Sequence, residues 1–353
     1  MREVSSGLDA YSPPEIAQRV EAFGVAKSAA PWWQTFMLGM LAGGFIGLGG
    51  LYYTFMTVGD GGWQRLAGGL VLSTGYMLAI LAGAEVFTSN NLLAMAWASR
   101  KVSSWRVLRN WSIVLCANAV GAVGLAVIFL ISGLPLAEDG AVGERAVALA
   151  AHSSSLGAMH AFGLGVLGNL FVCLAVWVSM AGRSVTDKVV GTILPLSALG
   201  ALGLEHVVAS LYLIPRGLLL QWLNPELVPE GVEVTVAGGL FSVFFVTLGN
   251  IFGGSLMVAL AYYVTYLRPP PRSRGTASPE PSGLAAASGG RDSAGTDPAV
   301  TDPASPTNSD PTDSSATDHG ATDNGATDNG ATDNGATDNG GEPPGLGRDD
   351  SPP

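Results

Sequence analysis

The sequence is poor in the residues that soluble enzymes and metal proteins draw on. It holds two cysteines, Cys116 and Cys173, and four histidines in 353 residues. Both cysteines lie in apolar runs, so neither a disulfide nor a metal site is expected, and each reads as a small buried packing residue. No nucleophile–base pairing, metal cluster or phosphate-binding loop stands out, which argues against an enzyme and against a cofactor. A basic surplus is also missing: the formal net charge is -11, and no nucleic-acid partner is expected. The start of the chain lacks a short apolar stretch after a basic one, so no cleavable signal peptide is expected and the first apolar run serves as its own insertion signal.

Charge is scarce in the middle and concentrated at the end. Residues 1–268 carry 13 Lys/Arg against 14 Asp/Glu, whereas 269–353 carry 4 against 14. That last stretch opens with prolines and runs on in Ser, Thr, Asp and Gly. Near its end is a five-residue repeat, "ATDHG" at 316–320 followed by four copies of "ATDNG" to Gly340. With so little apolar surface to offset ordering entropy, 269–353 is expected to be a disordered acidic tail. A calcium-binding repeat is the sharper alternative, but the period lacks the spacing of a known loop.

What the chain has in excess is apolar length. Runs at 35–58, 66–84, 111–132, 161–181, 189–204 and 236–267 each approach or exceed the roughly 20 residues that cross a bilayer. This predicts an all-α integral membrane protein with a six-helix domain over 32–268, preceded by a polar segment, 1–31. Arg100, Lys101, Arg106, Arg109, Arg183, Lys188, Arg268, Arg272 and Arg274 fall on one side of the bilayer. That side is expected to be cytoplasmic, with both termini.

The six runs repeat as three plus three. "FMLGMLAGGFI" from Phe36 matches "FGLGVLGNLFV" from Phe162, "GAEVF" from Gly83 matches "GLEHV" from Gly203, and "ANAVGA" from Ala117 matches "GNIFGG" from Gly249. With an odd number of spans per half, the second half lies upside down relative to the first, the inverted-repeat plan of many channels and transporters.

Polar residues interrupt the second and fifth runs. Glu85, Thr88, Ser89, Asn90 and Asn91 crowd together in the second. A charge near the bilayer centre costs about 2.5–3.5 kcal/mol on insertion scales. We read a helix, a short loop near 87–90 and a second half-helix from Asn91 to Ser99. The fifth breaks at Gly200 to His206, and its second half-helix is expected to stop at Pro215. Half-helix N-termini at the midplane present unpaired N–H groups and suit an anion.

Within this pattern His206 is either a pore residue or a tie for the broken helix. Glu85 and Glu205 read as carboxyls that satisfy loose backbone N–H groups, with a proton path as the alternative. Asn169 and Asn250 are candidate pore residues whose bland role is interhelical hydrogen bonding. His152 and His160 read as ordinary interfacial residues.

"PPEIAQRVEAFGVAKSA", "GAEVFTSN", "GVLGNLFVCLAVWVSMAGRS", "GLEHVVASLYLIP" and "GNIFGGSLMVALAYY" together resemble the formate/nitrite transporter family over residues 13–267. The resemblance implies a homopentamer of aquaporin-like protomers in the cell membrane, each with its own pore for a small monovalent anion. It places His206 and Thr88 at the pore centre and Asn169 and Asn250 along its wall. Val86, Phe87 and Val172 fall where the family builds its cytoplasmic constriction, and Leu72, Tyr76 and Leu199 where it builds the periplasmic one. Two departures stand out: Tyr76 replaces an aliphatic residue, and Ser153 stands where members commonly carry a vestibule lysine.

The expected function is therefore passage of formate, nitrite or a similar weak-acid anion, with transient protonation at His206. An aquaporin-class neutral-solute channel is the first alternative, although neither break carries Asn-Pro-Ala. A non-transporting membrane scaffold acting through its acidic tail is the second.

Overall fold

The computed structural model of the protein describes residues 10–59 and 61–269, which belong to one compact unit. The acidic tail and its repeats lie outside the described residues, apart from Pro269. The described residues are helical, with no strands among them. Five helices are long and apolar enough to cross a membrane: Trp32–Met56 (α2), Ser104–Ile131 (α5), Ala158–Ala181 (α7), Val185–Leu202 (α8) and the run Val236–Leu267. Between them lie Gly62–Leu81 (α3), Leu93–Ala98 (α4), Ala141–Ser154 (α6) and Val207–Leu223 (α9). The last run opens as Val236–Ile251 (α10) and widens into π-helical turns at Phe252–Leu260 and Tyr263–Leu267.

Pro13–Ala29 (α1) is a helix whose start is fixed by a capping box between Ser12 and Glu15, with proline at the first helical positions, where its missing N–H costs nothing. Ile16, Val20, Gly24 and Lys27 fall on one face and are buried, and the helix packs across α4 and α7. Glycines set the distance between the long helices. A Cβ on Gly43 of α2 would overlap the carbonyl of Asn118 in α5, and one on Gly249 of α10 would overlap that of Phe162 in α7. Such small-residue contacts let backbones approach closely where no hydrophobic drive between helices exists.

Both expected interruptions are present, and both end the incoming helix in the same way. Gly83 and Gly203 take φ of +69° and +66°, a left-handed conformation that glycine alone adopts without strain. The next residue's N–H reaches back five positions, Ala84 to Ala79 and Leu204 to Leu199, each at 2.9 Å. The details differ from expectation in both breaks. In the first break the irregular stretch is 82–88, a 3₁₀ turn at Ser89–Leu92 follows, and α4 starts only at Leu93 rather than at Asn91, because the Gly83 turn ends α3 early. In the second, α9 does not stop at Pro215 but runs through it to Leu223. Tyr212, Arg216 and Leu220, all fully buried, hold that face against α2, α5 and α6 across the lost hydrogen bond. Cys173 is buried as expected, whereas Cys116 is exposed on the protomer surface, on the outward side of α5.

Candidate functional site

The two breaks meet, and the residues that end them are pinned by a matched pair of asparagines. Asn118 of α5 accepts the Phe87 N–H at 2.9 Å and donates to the carbonyls of Gly39 and Glu85, each at 2.8 Å. Asn250 of α10 accepts the Val207 N–H at 2.9 Å and donates to the carbonyls of Gly165 at 2.8 Å and Glu205 at 3.3 Å. Both side chains are fully buried. The hydrogen-bonding capacity of the Asn250 amide is thus committed to backbone. Asn169 donates to the carbonyls of Thr88 and Asn250, which ties one break to the helix that pins the other.

Held this way, Thr88 and His206 face each other. Thr88 Oγ1 lies 2.6 Å from His206 Nε2, and both residues are almost wholly buried. His206 is also the N-cap of α9: its Nδ1 accepts the Ala209 N–H at 3.3 Å. A nitrogen that accepts from a backbone N–H carries no proton, so the neutral ring bears its proton on Nε2, aimed at Thr88. The Thr88 carbonyl accepts from Asn91, Asn169 and Cys173, which fixes the other partner.

Two cavities approach this pair from opposite sides. The larger, about 520 Å³, is lined by His206, Leu72, Leu199, Ser153, Arg65 and Arg145, and His152 and His160 sit on its wall as well. The smaller, about 180 Å³, is lined by Tyr76, Val86, Val172, Ser89, Lys27 and Lys188. Leu72, Tyr76, Val86, Phe87, Val172 and Leu199 belong to one buried apolar cluster between them. Tyr76 shares that cluster with Leu72 and Leu199 and also lines the smaller cavity, with its ring edge-on to His206 at a centroid distance of 5.0 Å. Phe87 packs edge-on against Trp111 and lines neither cavity.

The carboxylates take side-chain partners rather than the loose backbone N–H groups expected of them, because the asparagines already serve the first turns beyond each break. Glu205 accepts from the hydroxyls of Ser153 at 2.9 Å and Ser210 at 3.0 Å. Glu85 pairs with Lys27 of α1 at 3.1 Å and accepts from Asn90. Lys27 also donates to Asn90 Oδ1 at 2.8 Å. The reading of the sequence missed Lys27. The signal for it was the lone cation on the buried face of α1, but its partner lies in another element and nothing local names it.

The model of the formate/nitrite transporter family matches residues 14–264. The chain belongs to this family. The formate channel FocA of Escherichia coli (strain K12) is 35% identical over 274 residues, covering 74% of this chain and 96% of the relative. FocA of Haemophilus influenzae is 33% identical over 264 residues, covering 71% and 93%. A solved pentameric formate channel with formate bound is similar in fold at a TM-score of 0.63 and 32% identity, over 67% of this chain and 98% of that one. An ion channel of the same family matches at a TM-score of 0.64 and 24% identity, over 71% and 98%. As a member of the formate/nitrite transporter family, the chain is a multi-pass membrane protein of a transport class, and its interrupted helices fall within the matched region.

Proposed function

We propose that the chain conducts formate, and nitrite or similar small weak-acid anions, through a pore within each protomer of a homopentamer. The observation that carries this reading is the Thr88–His206 contact, placed where two breaks meet between two cavities. The path runs from the larger cavity past Leu72 and Leu199, to Thr88 and His206, and out by Tyr76, Val86 and Val172. On this reading α2, α3 with α4, and α5 form one half, and α7, α8 with α9, and α10 form the inverted other. The identical glycine turns and asparagine pins at the two breaks support that division. The Lys and Arg of 100–109 and 183–188 support a cytoplasmic side for the smaller cavity and for both termini.

An anion in the apolar cluster must give up water, at a cost of several kcal/mol even after relaxation. The Nε2–H of His206 offsets part of this as an anion displaces Thr88 and takes its hydrogen bond. Moving the proton itself onto the anion requires the imidazolium first: a proton taken up at Nδ1 breaks the Ala209 cap, and release of the Nε2 proton to the anion then leaves a neutral ring. Hydrogen-bond donation thus suffices for flux, and transient protonation is the step that couples flux to pH. Glu85 and Glu205 hold the breaks in place in this scheme, and Asn250 positions the pore wall while Asn169 supports Thr88.

Formate uptake into proteoliposomes, with and without an imposed pH gradient, tests this. Wild type is expected to carry formate, His206→Asn to carry it without a response to the gradient, and His206→Phe to lose most of the flux. A wild type that passes no formate would refute the reading, and a gradient response that survives in His206→Asn would remove the histidine from the coupling step.

A further inference from the structure

Tyr76 is 3% exposed, and its hydroxyl has no hydrogen-bond partner among the described residues. Leaving a buried O–H unpaired is costly, and native structures reserve it for a place where something else pairs with it. The residue lines the smaller cavity on one side and meets the His206 ring on the other. The other hydroxyls on the wall of that cavity are committed: Ser89 donates to the Val86 carbonyl at 2.9 Å and Ser179 to that of Val176 at 2.6 Å. Lys27 is engaged by Glu85 and Asn90.

We infer that the smaller cavity is a binding subsite for a small oxyanion, a carboxylate or nitrite, and that the Tyr76 hydroxyl is its hydrogen-bond donor. The cavity, about 180 Å³, holds such an ion with a few waters, each of which takes about 30 Å³ in the liquid. A hydroxyl donating to an anion makes a short, charge-assisted bond, stronger than one to a neutral acceptor. Lys188 on the cavity wall adds positive potential without occupying the donor's place, and it works against the carboxylate of Glu205, whose field also reaches Tyr76. An anion released from His206 toward this side is received by Tyr76 before it regains bulk water, so the constriction has a polar step that an aliphatic residue at this position lacks.

The inference rests on the anion-pore reading, and two measurements keep the two apart. The first is formate flux of the full chain in proteoliposomes as a function of concentration, for wild type, Tyr76→Phe and Tyr76→Leu. Loss of the hydroxyl is expected to raise the half-saturating concentration about tenfold in both variants, with maximal flux changed much less. A purely structural ring would instead make Leu far worse than Phe, and that pattern overturns the proposal, as does a half-saturating concentration in Tyr76→Phe within about twofold of wild type. The second is saturation-transfer NMR of formate with the detergent-solubilised protein, where a signal present in wild type is expected to fall in Tyr76→Phe. If wild type binds formate through Tyr76 without conducting it, the pore reading fails and the subsite stands. Equal signals in wild type and Tyr76→Phe overturn the subsite whatever the flux.

Discussion

Thr88 and His206 stand 118 positions apart in the chain, yet Oγ1 of one and Nε2 of the other are 2.6 Å apart in a wholly buried setting. Each is held from behind, Thr88 through its carbonyl and His206 through the Ala209 cap, so the contact is set by the scaffold rather than by the pair. Thr88→Val keeps the shape and removes the hydroxyl. Formate flux in proteoliposomes is expected to fall about tenfold or more, because a buried ring N–H is left without its resting partner, whereas Thr88→Ser is expected to stay within about threefold of wild type. Equal flux in Val and Ser variants would show that the hydroxyl takes no part.

The Lys27–Glu85 pair joins α1 to the first break, with both side chains under a tenth exposed. Removing one partner leaves the other charge buried and unpaired, which costs about 3–5 kcal/mol in comparable sites. Lys27→Met and Glu85→Gln are each expected to lower the thermal unfolding midpoint of the detergent-solubilised protein. The double variant is expected to recover much of that loss. Simple additivity of the two effects would mean that the ions do not act as a pair.

Ser153 donates to Glu205 in the wall of the larger cavity, where the family commonly carries a lysine, and the cations on that wall are Arg65 and Arg145. Tyr53, which also lines the cavity, lies within Coulombic reach of both. If these arginines gather anions, Arg65→Gln with Arg145→Gln is expected to lower flux at subsaturating formate about three- to tenfold at low ionic strength. The difference should nearly vanish in 1 M impermeant salt, where the screening length is about 3 Å. A deficit that is independent of salt would point to damage to the fold instead of lost attraction.

The fold was legible in the sequence to the extent that local chemistry decides it. The polar crowd from Glu85 to Asn91 located the first break and Gly200 to His206 the second, but the loop of the first was read a few residues late, because the turn at Gly83 that ends α3 was not among its signs. The repeat of Asn118 and Asn250 was visible too, but not their work: an amide that binds backbone on two other helices looks the same in sequence as one that lines a pore. Pro215 misled because its local cost was weighed without the buried face of Tyr212, Arg216 and Leu220 that carries α9 past it. Lys27, Ser153 and Tyr76 acquire their surroundings only when distant helices pack. The wall of each cavity was therefore less readable than the breaks that create it.

Arg216 is fully buried in α9, with Nη1 donating to Thr54 at 2.8 Å while Nε and Nη2 lack hydrogen-bond partners among the described residues. The rings of Tyr212 and Phe129 lie 4.8 Å and 5.3 Å from the guanidinium carbon and supply some attraction, but not two acceptors. Replacing buried ionic groups by apolar ones of similar volume is often neutral or stabilising. Arg216→Met is therefore expected to unfold at the same or a higher temperature, with formate flux unchanged. A clear drop in the midpoint would reveal an acceptor that completes the guanidinium in the assembled protein.

Gly168 of α7 lies against the second break so closely that a Cβ there would overlap the Glu205 carbonyl. That carbonyl is backbone, pinned by Asn250, and the adjacent Glu205 side chain is held by Ser153 and Ser210, so it has little room to yield. Overpacking a rigid contact costs about 1–3 kcal/mol. Gly168→Ala is expected to lower the unfolding midpoint, and Gly168→Val to lower it further. Because the strain is delivered one residue before His206, flux should fall more steeply across this series than stability does. Gly163 of α7 provides the control: a Cβ there meets nothing within 4 Å, so Gly163→Ala should change neither measurement appreciably. If Gly168→Ala matched that control in flux, the position of His206 would not depend on the fit of α7 against the break.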